Sequence, residues 1–438
     1  MLDTAMRRPI PPRPPVLARA RAGGRPAAAA TPLAAVLLLT AGSWLPVQAQ
    51  EVTLVAGGDM EWSRRVRGTN TYTLPNDNQV DMAVRGVRRP TSWLDLPLLN
   101  VPEHRQRIGE LLGADELDSP TGHAAVAIQY DLSFASVEED VRHPFQRIRD
   151  LFVQADLAFA NLEMPLSERA RPTGAFVGPT AFADALSWAG LDVVSTANNH
   201  AFDGEELGLL DTMDALAEAG VAWVGTGRNL EEARRPVVVE RGGIRIAFLG
   251  YARAINGVGT SGFAQPHQSG VMPMDPLLIR EDIRRVRDQV DYVAVSLHWA
   301  IENSKQTHPD ARAFAHELVD AGADIILGHH PHVPRGVEIY DGRVILYSLG
   351  NLFFGHGHDY WQDGYVARLS LTPERVTRVE IVPIAGRGTD MAQPYVLSGE
   401  RARAVLEEVQ ELSETLDTPL RIEGDVGVLG PATQDGGR

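Results

Sequence analysis

The chain has 438 residues, 44% of them hydrophobic and 22% charged, the profile of a globular protein with material for one large α/β domain or two smaller ones. It contains no cysteine, which excludes disulfides, thiolate metal sites, a Cys nucleophile and an acylated lipoprotein Cys. A formal net charge of −16 argues against nucleic acid as a partner, and with Lys305 as the one lysine and no GxxxxGK[ST] or dinucleotide fingerprint there is no phosphate-binding loop.

Residues 1–49 read as a targeting segment. Arg7, Arg8, Arg13, Arg19, Arg21 and Arg25 make a basic leader, and an apolar run follows over 32–47. That run is shorter than the ~20 residues a membrane span needs. Val47-Gln48-Ala49 then places small residues where a signal peptidase cuts. The expectation is an exported protein, periplasmic or extracellular, membrane-anchored if the signal is not cleaved. Cleavage removes six Arg and Asp3, which takes the net charge from −16 to −21.

From Val52 onward, short apolar runs alternate with amphipathic stretches. The runs are 52–58, 156–163, 192–200, 244–251, 291–299, 324–332 and 343–351, and the helical stretches lie near 143–155, 180–189, 206–219, 276–289 and 309–321. This alternation predicts an α/β fold with largely parallel central strands. The stretch 336–384 reads as consecutive strands, an antiparallel portion or a second sheet. Residues 62–142 hold few periodic runs and read as an insertion, with some helix near 103–113. The main domain is placed at 50–398, followed by a C-terminal region, 399–438, with a helix over 399–416 and a disordered, Gly-rich tail from Gly424.

The polar residues that carry chemistry sit where apolar strands end. These ends are Gly57-Gly58-Asp59-Met60-Glu61, Asn161-Leu162-Glu163, Asn198-Asn199-His200, His298-Trp299 and Gly328-His329-His330-Pro331-His332. Ligands of open α/β sheets bind at the carboxyl ends of strands, because loops from several strands converge there. Singly, most of these are ordinary turns, caps or core histidines. Five at the same topological position point to metal. Carboxylate, amide and imidazole ligands suit Zn, Mn, Fe or Co and argue against Cu(I) or an iron–sulfur cluster. Two such ions need a bridging carboxylate and act as a clamp for in-line displacement.

Together with Tyr347-Ser348-Leu349-Gly350-Asn351-Leu352-Phe353, these motifs stand in an order that resembles the CapA family, the bacterial capsule or poly-γ-glutamate synthesis proteins. That family is similar to the calcineurin-like metallophosphoesterases, and the resemblance covers about residues 52–385. It implies a four-layer α/β/β/α sandwich, two divalent cations, and hydrolysis in capsule or exopolymer assembly. Its expected partners are an anionic polymer or phosphoester substrate and a membrane capsule-synthesis complex. Carried over residue by residue, it implies that Asp59 holds the first metal, Glu163 bridges both, Asn199, His298 and His330 complete the second, and His332 returns to the first. His200 would act as general acid or transition-state stabiliser, with Asp203 orienting its ring. Two departures stand out: Glu61, which is counted among the metal-site residues, occupies the superfamily's first-motif His position, and Glu163 replaces its bridging Asp. His329, Asn351, His356, His358, Arg64 and Arg65 are further candidates. A non-catalytic assembly factor and a metal-dependent amidase acting on the polymer are the rival readings.

Overall fold

The computed structural model describes residues 51–63, 127–128, 135–170, 176–355, 357–358 and 361–430. Strand β1 (Val52–Glu61) is buried along almost its whole length. Its alternation explains why: Val52, Leu54 and Ala56 enter a core shared with a second sheet, while Val55 enters a core on the opposite face. The chain continues through α1 (Val137–Arg142), α2 (Arg149–Val153), β2 (Leu157–Leu162), α3 (Phe182–Ala189) and β3 (Val193–Ser195). Next come α4 (Glu205–Ala219), β4 (Ala222–Val224), β5 (Val237–Arg241), β6 (Ile244–Ala252) and α5 (Pro276–Arg287). Helix α5 starts where its side chains direct: Asp275 accepts from the N–H groups of Leu277 and Leu278, and Pro276 occupies the first turn. Then follow β7 (Tyr292–His298), α6 (Pro309–Asp320), β8 (Ile325–His329), β9 (Val337–Tyr340), β10 (Arg343–Leu346) and β11 (Asn351–Phe354). The last elements are β12 (Gly364–Leu371), β13 (Val376–Ile384), α7 (Gly399–Glu414), β14 (Arg421–Glu423) and β15 (Val426–Leu429).

Among the described residues these strands form two large sheets. The first runs β14-β15-β13-β12-β1-β2-β3-β4, with β11 also pairing β1, and the second runs β9-β10-β8-β7-β6-β5. The pairs β1–β2, β2–β3 and β3–β4 are parallel, as are β6–β7, β7–β8 and β8–β10. Their carboxyl ends therefore gather on one side. Phe159 of β2 and Phe248 of β6 stack across the gap between the sheets with centroids 5.5 Å apart. The other face of the first sheet packs against α1, α2 and α3 through Val141, Phe152, Phe182 and Leu186. The other face of the second packs against α5 and α6 through Ile279, Ile283, Phe314 and Leu318.

Three expectations change. The strands of 336–384 do not form a unit of their own: β9 and β10 complete the second sheet, whereas β11, β12 and β13 join the first. The C-terminal helix is no appendage, because Ala402, Val405, Leu406 and Val409 of α7 enter the core between the sheets. Nor is the tail disordered from Gly424: the apolar edge of β13 pairs Val379 with Leu429 and Ile381 with Gly427, which orders the chain through β15. The leader 1–49, the helix expected near 103–113, most of the 62–142 insertion and residues 431–438 lie outside the described residues. No helix among the described residues is long and apolar enough to cross a membrane.

Candidate metal centre

The centre begins with a close approach that glycine permits. A Cβ on Gly58 would lie 2.0 Å from the carbonyl oxygen of Gly350. Without it, β1 and the turn before β11 meet, and the Asp59 N–H donates to Gly350 O at 2.9 Å. The pairing register of β1 shifts at this point against both neighbours, which turns the Asp59 side chain inward. Its Oδ1 accepts from Asn161 Nδ2 at 2.9 Å and lies 3.1 Å from His329 Nδ1. Its Oδ2 accepts from the backbone N–H of His330 at 3.0 Å.

Asn161 stands one residue before the end of β2, and Glu163 follows Leu162, wholly buried. Asn198 pins the next turn by donating to Leu162 O at 2.7 Å and accepting from the His200 N–H at 3.1 Å. Asn199 and His200 then point to different partners. Asn199 Oδ1 lies 2.7 Å from His298 Nε2, and His200 Nδ1 lies 2.7 Å from Asp203 Oδ2. Asp203 Oδ2 also accepts from the Phe176 N–H at 2.8 Å, and the Phe176 ring lies 4.3 Å from that of His200. After β8, His330 and His332 adopt φ of 96° and 60°, left-handed backbone that costs non-glycine residues about 1–3 kcal/mol each. The Trp299 N–H donating to His329 O at 3.1 Å and the Asn303 N–H donating to Pro331 O at 2.7 Å help hold that turn.

Ligand atoms of Asp59, Glu163 and His298 lie within 4.8 Å of one another, as do those of Glu163, His330 and His332. Glu163 belongs to both groups. The pairing of histidines differs from the one the family resemblance implies, with His298 beside Asp59 and His330 beside His332. His332 nevertheless reaches both acids, at 3.5 Å from Asp59 Oδ2 and 3.7 Å from Glu163 Oε1. Glu61 stands in neither group. Its carboxylate accepts the backbone N–H groups of Ser63 and Gly355. His329 is buried behind Asp59, and Asn351 Oδ1 lies 2.8 Å from His332 Nδ1. Arg64, Arg65 and His356 lie outside the described residues, and His358 is described only as backbone paired with Ala127.

The electrostatics fit a cation. Both carboxylate oxygens of Glu163 are buried and find no hydrogen-bond donor, and His330 Nδ1 and His329 Nε2 are likewise buried without a partner. Such orphaned atoms are costly unless an ion completes them. Burial, then the negative charges of Asp59 and Glu302, push the Glu163 carboxyl well above its usual range. Burial also raises Asp59, yet the hydrogen bond and charge of His329 more than reverse this and leave it below the usual range. Burial, followed by the neighbouring imidazoles, pulls His298 well down, and burial takes His330 to about 4. These rings are neutral at physiological pH, the form in which an imidazole ligates a metal. His200 behaves oppositely. Burial lowers it, but the charge and hydrogen bond of Asp203 win and raise it.

Sequence reasoning named the strand-end residues and missed several neighbours. Asn256, after β6, lies with its Nδ2 3.5 Å from His200 Nε2, at a strand end that was available to the same argument. Phe354 and Trp361, 5.4 and 6.5 Å from the His332 ring, form an aromatic side to the centre that no spacing announced.

Residues 54–356 match the family described as "Bacterial capsule synthesis protein PGA_cap". The PGA biosynthesis protein CapA of Bacillus subtilis (strain 168) is 36% identical over 193 residues, 44% of this chain and 50% of that protein. The capsule biosynthesis protein CapA of Bacillus anthracis is 34% identical over 204 residues, 46% and 49% respectively. A probable polyglutamine synthesis accessory protein of Mycobacterium tuberculosis is 35% identical over 220 residues, 43% of this chain and 57% of that one. The chain thus spans about half the length of the curated relatives it matches.

Proposed function

Since this chain belongs to the bacterial capsule synthesis protein family PGA_cap, we propose that it is an exported, phosphoesterase-like two-metal hydrolase acting in capsule or poly-γ-glutamate exopolymer synthesis. The two sheets and their outer helices are read as the four-layer α/β/β/α sandwich of metallophosphoesterases. The observation that carries the proposal is Glu163, a buried carboxylate with no donor that belongs to both ligand groups. Asp59, Glu163, Asn199, His298, His330 and His332 would hold two divalent cations. When bound, such a pair polarises the electrophile and lowers the pKa of water.

The remaining steps fall to the chain's own side chains. With His200 Nδ1 facing Asp203, Nε2 is the atom left to give a proton to a leaving group or meet charge on a non-bridging oxygen. Its raised proton affinity keeps that proton available near neutral pH. Asp203 is itself held by the Phe176 N–H, which fixes the ring plane. Asn161 and His329 hold the Asp59 carboxylate in place from two sides.

A second reading, a non-catalytic assembly factor, draws on Glu61, whose carboxylate is taken up by backbone N–H groups where the superfamily has a ligand His. An amidase acting on the polymer would use the same centre. Elemental analysis, with turnover measured on phosphomonoester, phosphodiester and γ-glutamyl substrates, separates these readings. The proposal expects close to two divalent ions per chain and metal-dependent hydrolysis of at least one substrate class. A metallated protein inert across the panel would leave the assembly factor standing.

A further inference from the structure

The loop that leaves β6 is fastened to the centre by its backbone at two points. The Arg253 N–H donates to His298 O at 3.0 Å, and the Asn256 N–H donates to Asn199 O at 2.8 Å. Between them Ile255 is buried in an apolar cluster with Ala197, Ala201 and Phe202, residues on either side of Asn199 and His200. Half-buried Asn256 is thereby set beside His200. Its Nδ2 lies 3.5 Å from His200 Nε2, the ring atom turned away from Asp203. Among the described residues this is the one hydrogen-bonding contact that the Asn256 side chain makes. A separation of 3.5 Å is the outer limit of a hydrogen bond, so the ring does not use up the amide. Two atoms so spaced can share an oxygen, since one lying about 2.9 Å from each is at ordinary hydrogen-bond distance from both.

We infer that Asn256 is a substrate-binding residue, whose amide N–H donates to the same substrate oxygen that His200 Nε2 meets. Phosphoryl and carbonyl oxygens both accept such a bond. The amide supplies a donor with no charge and no proton to lose. Proton transfer therefore stays with His200, while Asn256 holds the oxygen in place against it. Asp203 and Phe176 fix the ring from the other side, so the oxygen meets two donors whose spacing is set before it arrives. This assignment rests on the two-cation reading with His200 facing the substrate, and it adds a second contact to the same oxygen.

Inorganic phosphate is the probe, titrated calorimetrically into full-length, Mn²⁺-loaded wild type, Asn256→Ala and Asn256→Asp. Both variants keep the backbone N–H that holds Asn199, so metal content by elemental analysis should equal that of wild type. Loss of the donor should weaken phosphate about tenfold or more. Asp has nearly the same shape but only accepts, so it should bind phosphate more weakly than Ala does. The cost of Asn256→Ala should shrink when His200 is already Ala, as two groups on one oxygen are coupled. Equal phosphate affinity in metallated wild type and Asn256→Ala, wild-type affinity in Asn256→Asp, or losses that simply add would each overturn the inference and leave the two-cation reading intact. Loss of metal in both variants would also overturn it, by making the side chain a support of Asn199. So would a metallated wild type that binds no phosphate. A wild type that takes up no divalent cation would remove the two-cation reading and this inference with it.

Discussion

Glu163 is a buried acid placed among other acids, and its carboxyl is raised well above the usual range by burial first and by Asp59 next. Without a cation, the folded state therefore holds this proton more tightly than the unfolded state. Stability then falls as pH rises from the ordinary glutamate range through the raised folded value. Glu163→Gln should make chelator-treated protein more thermostable than wild type at about pH 8, with the gap closing toward about pH 4. With metal present the order should reverse, because an amide cannot take the carboxylate's place in both groups. Thermal unfolding with and without chelator tests this, and a glutamine variant destabilised in both states would remove Glu163 from the cation site. His200 gives the companion prediction. His200→Ala should keep its metals and fold yet lose about 10²-fold or more in hydrolysis, since a positioned general acid contributes about 10²–10⁴-fold. A drop in metal content would reassign it as a ligand. Asn199 and His200 were legible as one motif with divided roles, but the contacts that hold the two side chains apart were not. They involve Asn198, which fixes the turn, and Asp203 and His298, which receive the two side chains.

At the level of elements, the helices were the most legible, because a 3.6-residue period and a capping residue are local. The Asp275-Pro276 start and the Phe182–Ala189 span needed no tertiary information. Strand partnership was not legible. The run 343–351 reads as one strand, yet 343–346 joins the second sheet and Asn351 opens a strand of the first, because the Ser348–Gly350 stretch crosses between them and packs against Gly58. That crossing makes Gly58→Ala informative. Its Cβ would meet Gly350 O, so the variant should lose about 1–3 kcal/mol of stability. Metal content should fall too, since Asp59 is displaced with the strand. Denaturant midpoints and elemental analysis check both effects. Helix α7 gives the other test. Leu406 is wholly buried between the sheets, and Leu406→Ala should cost about 2–5 kcal/mol in the main unfolding transition. An unchanged main transition would return the C-terminal region to the status of a separate appendage.

For the whole molecule, the proposed leader and the acidic balance bear on where the protein works. Protein recovered from outside the cytoplasm should begin at or near Gln50, as N-terminal sequencing would read, whereas an intact Met1 on a cytoplasmic species would reject export. The sequence by itself determined the α/β class and most of the central strands, and it put Asp59, Glu163, Asn199, His298, His330 and His332 forward as candidates at strand ends. Periodicity and strand-terminal polar residues are local properties that a single chain displays. Only the tertiary structure set His298 beside Asp59 and His330 beside His332, and engaged the Glu61 carboxylate with backbone N–H groups. It also decided that the last 30 described residues complete the first sheet and the core between the sheets. The physical reason is separation along the chain. Asp59 receives its hydrogen bond from a residue 271 positions away, and such contacts arise only when two sheets pack face to face and bring their carboxyl ends together.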